Sequence, residues 1–379
     1  MRIVIAPDSF KESLSALYVA QAIERGVRSV LPTAQTVCVP MADGGEGSLD
    51  AVLAATQGER HLALVMDANG RDVQADWGLI DHQTAFIEMA QAGGLERIGP
   101  HERNPCRATS FGVGQLIRHA LNAGAQRVVL GLGGSATNDA GAGLFQALGG
   151  RLLDVHGLDL PLGGAALEYL HTIDTTGLDP RLANVQFECA VDVSNPLCGP
   201  QGASHIFGPQ KGASPDKVLQ LDRAQGHFAY HLEQLTQRVL GDQPGMGAAG
   251  GLALPIMACM QATFRPGVEL IAELVQLSHH ISQADLVITG EGRMDAQTLA
   301  GKTPVGVARV AQAHHVPVIA LAGSLGHGYQ RLYEAGISAA FSLVPGPVSL
   351  EYAMEHAAIF LEERAADCIR LWQLTCSVR

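Results

Sequence analysis

Five times in this chain a short apolar run, rich in β-branched residues, stops abruptly in a charged or glycine-rich loop, and a helical pattern follows. The runs are Ile3–Ala6, Thr36–Val39, Arg127–Leu130, Phe187–Val191 and Asp285–Thr289. A strand with no polar alternation is buried on both faces, as in a parallel sheet, and parallel neighbours require a helical crossover. The alternation therefore confines the chain to the α/β class. Ligands of open α/β sheets bind beyond the carboxyl ends of the strands, so the five loops are also where function is expected.

The opening reads as strand, helix (Ser15 to Val30), strand, helix (Glu46 to Thr56), a unit that sets two parallel strands side by side. From His61 to Met89 the texture becomes a strand meander over Ala63–Met66, Val73–Leu79 and Ala85–Met89, with Asn69-Gly70 as its hairpin signal. Helices are expected over Gly112–Asn122, Ala140–Leu148, Lys217–Leu240 and Leu270–Ile281. A strand, helix and strand rhythm returns after Asp285: Pro304–His314 helix, Pro317–Ala322 strand, Gln330–Ala335 helix, Ala339–Val344 strand, Glu351–Leu374 helix. At 379 residues, two domains are expected. We read residues 1–65 and 284–379 as one Rossmann-like, doubly wound parallel-sheet domain made from both chain ends. Residues 66–283 form an inserted mixed α/β domain.

Composition excludes several classes. Apolar residues at 47% and charged residues at 16% rule out general disorder. A net charge of −12 argues against a nucleic-acid partner, which needs a basic stripe. No run is long enough to span a membrane, and MRIVIAPDSF is no signal peptide, so a cytoplasmic protein is expected. Seven scattered cysteines without a C-x-x-C pair fit reduced thiols. The fifteen histidines show neither H-E-x-x-H nor another metal spacing, and Met257 and Met260 read as core.

The loops carry the chemistry. In the first, Asp8, Ser9 and Lys11 follow a strand directly. Lys11 can neutralise a carboxylate or phosphate, and Asp8 can hold a metal or accept a proton, while Ser13 or Ser15 caps the next helix. The second, Asp43-Gly44-Gly45-Glu46-Gly47-Ser48, sets two carboxylates among glycines. They suit a ligand or Mg²⁺, or else Glu46 merely favours a helix start. The third runs from Gly131 through Gly133, Gly134, Ser135, Thr137, Asn138 and Asp139. Its glycines let a phosphate approach the backbone. Its opening nearly matches the dinucleotide fingerprint, but the polar residues that follow favour a phosphate or substrate loop over a nicotinamide site.

The fourth loop offers Asp192 and Asn195 at a strand end, then Gly208-Pro209-Gln210-Lys211-Gly212. A carboxylate that activates a hydroxyl and a lysine that meets transferred charge are what phosphoryl transfer needs. The fifth holds Glu291 and Asp295 as candidate metal ligands. It leads to Gly301-Lys302-Thr303, which fails the Walker A pattern at Ala296 yet can set Lys302 on a phosphate.

Residues alone point to a nucleotide- or phosphate-handling α/β enzyme. The stretches Ala6–Lys11, Asp43–Gly47, Gly133–Asp139, Gly208–Gly212 and Thr289–Gly292, in this order and spanning the chain to about Val344, resemble the bacterial type I glycerate kinases. The resemblance implies ATP and D-glycerate as substrates, 2-phosphoglycerate as product, and service in glucarate, galactarate or glyoxylate breakdown. It also implies a cleft between two α/β domains as the active site. On phosphoryl-transfer chemistry we expect Asp192, Lys11 and Lys211 to be catalytic. Mg²⁺ is expected on Glu291 and Asp295, and phosphate on the Gly133–Asp139 loop. Rival readings are a kinase for another small hydroxy acid or sugar acid, and a non-catalytic protein that binds an acid metabolite.

Overall fold

In the computed structural model of the protein, which describes residues 1–376, strands and helices alternate from the first residues. The chain opens with β1 (Arg2–Ile5), the helix Ala16–Val30 and β2 (Gln35–Cys38), then the helix Ser48–Thr56. A meander follows as β3 (Glu59–Met66), β4 (Asp72–Ile80) and β5 (Thr84–Glu88). After the helix Phe111–Asn122 come β6 (Arg127–Gly131), the small pair β7 (Arg151–Leu153) and β8 (Thr172–Asp174), β9 (Gln186–Ala190) and β10 (Gln261–Arg265). The chain closes with β11 (Leu286–Met294), β12 (Val318–Leu325), β13 (Ala339–Ser342) and the helix Ala357–Cys376.

The contacts divide into two units. The first holds Met1–Asp43, Asp50–Gln57 and Val268–Arg379, and the second Gly44–Leu49 and Gly58–Gly267. In the first, a sheet runs β13-β12-β11-β1-β2, and all its pairs are parallel. Ile3, Val4 and Ile5 are each fully buried, as are Leu286, Val287 and Ile288, so both faces of the sheet are covered. The helices Ala16–Val30 and Ala357–Cys376 supply one face of the core through Val19, Ile23, Leu361 and Ile369.

In the second unit the order is β10-β9-β6-β5-β4-β3, with β3-β4-β5 antiparallel and the rest parallel. Phe86, Phe145, Phe187 and Phe228 are its largest fully buried apolar side chains. Among the described residues, no helix is long and apolar enough to cross a membrane. Cys38, Cys106, Cys189, Cys198, Cys259 and Cys368 are free thiols.

Several expectations need correction. The boundary expected after residue 65 falls earlier, because Glu59–Met66 pairs with β4 along its whole length and so belongs to the second sheet. The boundary expected at 283 also falls earlier, at Gly267. The helix expected over Leu270–Ile281 is two helices, broken where Gln276 takes a φ of +52°. The final helix is interrupted at His356, and Gln330–Ala335 gives way to a 3₁₀ turn over Tyr329–Tyr333. The Thr289–Asp295 loop is not a loop at its start. β11 runs through Met294 because Gly290, Glu291, Arg293 and Met294 still pair in register with β12.

Candidate active site

In the first unit the chain keeps pairing with β11 after β1 ends: the Asp8 amide donates to the Gly290 carbonyl at 2.9 Å. That fixes Asp8 beside the β11 segment that carries Glu291. Asp8 Oδ1 accepts from the Ser9 amide at 2.6 Å, and Oδ2 accepts from Thr303 Oγ1 at 2.5 Å. Burial and the charge of Asp43 push the Asp8 carboxyl up to about 7, against the pull of the Thr303 and Ser9 bonds; Glu291 adds a smaller push. Glu291 is 7% exposed. Its Oε1 accepts from Thr298 Oγ1 at 2.6 Å, and its Oε2 lies 3.3 Å from Lys302 Nζ. Burial raises its pKa, and the Thr298 and Lys302 contacts oppose the rise.

These strand ends thus gather carboxylates that disfavour each other's charge, with one lysine beside them. A divalent cation or a cationic partner relieves that repulsion. Asp295, expected as a metal ligand, is used otherwise: Oδ1 caps the 3₁₀ turn through the Gln297 amide at 2.8 Å, and Oδ2 meets Arg293 Nε at 3.1 Å. Lys302, and not Thr303, is the N-cap of the helix Thr303–Ala313, which leaves the Thr303 hydroxyl for Asp8. Lys11 stands exposed on a tight loop closed by mutual Phe10 and Leu14 backbone bonds. Ser15 caps the first helix through the Tyr18 amide, whereas Ser13 instead donates to the Met354 carbonyl at 2.7 Å.

In the second unit two glycine loops touch backbone to backbone. A Cβ on Gly133 would stand 2.6 Å from the Gly45 Cα. Gly44, at a φ of +88°, would set one 2.7 Å from the Ala190 Cβ. The loop before the helix Ser48–Thr56 is also held by Glu88, whose Oε1 accepts from the Leu49 amide at 2.6 Å. Glu46 is exposed.

Lys211 is almost wholly buried, and its Nζ donates to Ser135 Oγ and to the Thr137 carbonyl, both at 2.7 Å. Burial drives its pKa down to about 7, partly opposed by Asp139. Lys211 therefore shapes the Gly133–Asp139 loop from behind. Thr137, Asn138 and Asp139, expected to line a phosphate site, have no exposed surface. Asp139 accepts from the Ser110 amide and hydroxyl at 2.8 and 2.9 Å and from the Gly141 and Gly143 amides. Asn138 Nδ2 donates to Ser204 Oγ, which donates to Gln225 Oε1. These side chains hold the loop's shape and leave Gly133 and Gly134 as its outer part, with Ser135 beneath them on Lys211. The near-match to a dinucleotide turn fails too, since the helix after Gly131 begins only at Ala142.

At the end of β9, Asp192 is exposed, and its Oδ1 accepts from the Gly267 amide at 3.0 Å. Asn195 is spent on its own loop, with Nδ2 donating to the Gln201 carbonyl at 2.8 Å.

A family model described as the glycerate kinase family matches residues 3–373. The chain belongs to the glycerate kinase family. It is 50% identical over 368 residues to a glycerate kinase of Bacillus subtilis (strain 168), covering 97% of this chain and 96% of that protein. It is 49% identical over 358 residues to the glycerate 2-kinase of Escherichia coli (strain K12), covering 94% of each. The crystal structure of a provisionally assigned glycerate kinase 2 from Salmonella typhimurium LT2 superposes with a TM-score of 0.91 at 44% identity, covering 100% of this chain and 99% of that one. The resemblance carried by the five motifs thus extends over almost the whole chain.

For this member of the glycerate kinase family, sequence reasoning missed Thr303, Thr298 and Glu88. Thr303 stands in sequence only as the end of Gly301-Lys302-Thr303, and Glu88 lies within the strand Ala85–Met89. The one available signal for Glu88 was a carboxylate closing an otherwise apolar run, Ala85–Met89.

Proposed function

We propose that this chain transfers the γ-phosphoryl group of ATP to the 2-hydroxyl of D-glycerate, giving ADP and 2-phosphoglycerate. The reading rests on the near-half identity, over almost the full length of both chains, with the Escherichia coli protein named glycerate 2-kinase. A cytoplasmic setting, and a place in the breakdown of glucarate, galactarate or glyoxylate, belong to the same proposal.

Phosphoryl transfer is mostly positioning and neutralisation of charge. Among the described residues no three His, Cys, Asp or Glu side chains gather into a metal cage. Mg²⁺ suits such a place, since it takes one or two carboxylates and completes its shell with water and phosphate. The donor set fits it at Asp8 and Glu291, with Asp8 in place of the Asp295 first expected. Held there, a Mg²⁺ ion would supply neutralising charge to phosphate oxygens.

Lys302 then lies beside the phosphates, and Lys11 meets the substrate's negative charge. Asp192, with Oδ1 fixed by the Gly267 amide, takes the proton of the attacking hydroxyl. The new bond joins that oxygen to the γ-phosphorus as the bond to the ADP oxygen breaks. The backbone of Gly133 and Gly134 and the Ser135 hydroxyl receive an anionic group, with Lys211 orienting Ser135.

The test is ADP release with Mg-ATP and D-glycerate, with phosphorus NMR of the product. Glycerate-dependent ADP with a 2-phosphoglycerate signal is expected. A 3-phosphoglycerate signal overturns the regiochemistry, and no glycerate-dependent turnover by folded protein overturns the substrate.

A further inference from the structure

The helix Pro215–Thr236 in the second unit carries His227 and His231 one turn apart, a spacing that puts both rings on one helix face. Their Nε2 atoms lie 3.1 Å apart, and the rings meet edge to face at 70°. The opposite nitrogen of His227, Nδ1, is 2.9 Å from the Leu167 carbonyl oxygen. A carbonyl only accepts, so Nδ1 carries the proton, and the neutral ring turns the Nε2 lone pair toward His231. Such a hydrogen bond to a backbone carbonyl is also what orients metal-binding imidazoles.

Two imidazole nitrogens this close share either a proton or a cation. With metal–nitrogen bonds of about 2.05 Å, the 3.1 Å separation fixes an N–metal–N angle of about 98°, between the octahedral (about 90°) and tetrahedral (about 109°) values. Both rings are half-buried, so a cation can reach them from solvent.

We propose that His227 and His231 form a surface site for one borderline transition cation of the zinc, cobalt or nickel class, with water in the remaining positions. The bond from His227 Nδ1 to the Leu167 carbonyl ties the helix Pro215–Thr236 to the 3₁₀ turn Gly164–Tyr169, and a cation on Nε2 would hold the ring in that clipped orientation. Gln225, two residues before His227, donates to the carbonyls of Asn138 and Gly250, so the clipped helix is the one that braces the Gly133–Asp139 loop. Mg²⁺, a hard cation, does not compete for imidazole nitrogen.

The experiment titrates metal-stripped full-length protein with Co²⁺, read by its visible absorption and then by displacement with Zn²⁺, in millimolar Mg²⁺. The wild type is expected to bind with a dissociation constant at least tenfold below that of the His227→Gln/His231→Gln variant. Equal titration of the two proteins overturns the proposal. A second measurement needs no variant: carbethoxylation of wild-type histidines is mapped by peptide mass with and without equimolar Zn²⁺. Selective protection of His227 and His231 is expected, and modification of both at the metal-free rate overturns it.

Discussion

Replacing Asp8 by Asn should stabilise the protein while disabling it. Asp8 titrates at about 7 in the folded chain and near its ordinary value of 3.8 when unfolded. The native state therefore holds this proton more tightly than the unfolded state does. Stability contributed here is greatest in acid and is lost as pH rises from about 4 to about 7, above which both states are ionised. At about 1.4 kcal/mol per pH unit, the full burden of the ionised group near pH 8 is about 4 kcal/mol, of which about 2–3 kcal/mol accrues between pH 5 and pH 8. Asn keeps an oxygen for the Ser9 amide and offers an N–H to the Thr303 hydroxyl, so the local bonds survive. Urea unfolding of both proteins at pH 5 and pH 8 isolates the term. Asp8→Asn should gain about 2–3 kcal/mol on the wild type between those two pH values. Its turnover at saturating Mg-ATP should fall at least about a hundredfold, if Asp8 helps to hold the cation. A stability difference that does not change with pH would refute the placement of an ionised, crowded carboxylate at the end of β1.

Asp192→Asn should lower turnover by about 10² or more with little change in the Michaelis constant for glycerate, read in the coupled ADP assay; near-normal turnover removes it as the base. Gly133→Ala drives a Cβ to 2.6 Å from the Gly45 Cα. It should cost about 1–3 kcal/mol in urea unfolding, and an unchanged midpoint would contradict the backbone contact. For Lys211 the linkage runs the other way: its folded pKa of about 7 lies below the unfolded 10.5, so its contribution grows as pH rises from 7 toward 10. Wild type should therefore gain about 2–3 kcal/mol on Lys211→Met between pH 6 and pH 9, and parallel pH profiles would argue against a buried amine.

What could be read from sequence followed from how strongly each residue declares its environment. Apolar β-branched runs fix β1, β6, β9 and the start of β11 because nothing polar interrupts them, and the loops after them followed directly. β10 escaped because Gln261–Arg265 is a short, partly exposed edge strand with a polar residue at every second position. The continuation of β11 through Gly290–Met294 escaped because glycine carries no strand propensity, although its backbone pairs as well as any. Within the site, residue type located the loops but not which way their side chains face. Asp139 and Asp192 are both carboxylates in loops after strands. One is enclosed by four donors, and the other lies at the surface, where its Oδ1 accepts from the Gly267 amide. Only packing separates them. Glu188 makes the same point in the other direction: a charge in mid-strand reads as an anomaly until Arg127 and Arg265 arrive from the neighbouring strands.

The pairing of β1 with both β2 and β11 bears on how the chain is made. Residues 3–5 meet 36–38 on one side and 286–288 on the other. On a ribosome, the first sheet therefore starts at once and then waits while nearly two thirds of the polypeptide emerges. The six-stranded sheet, drawn almost wholly from a continuous stretch, is complete long before. During that interval β1 exposes an apolar edge to the cell. A nascent chain stalled before residue 286 should be held by chaperones at its beginning, though its middle is already folded.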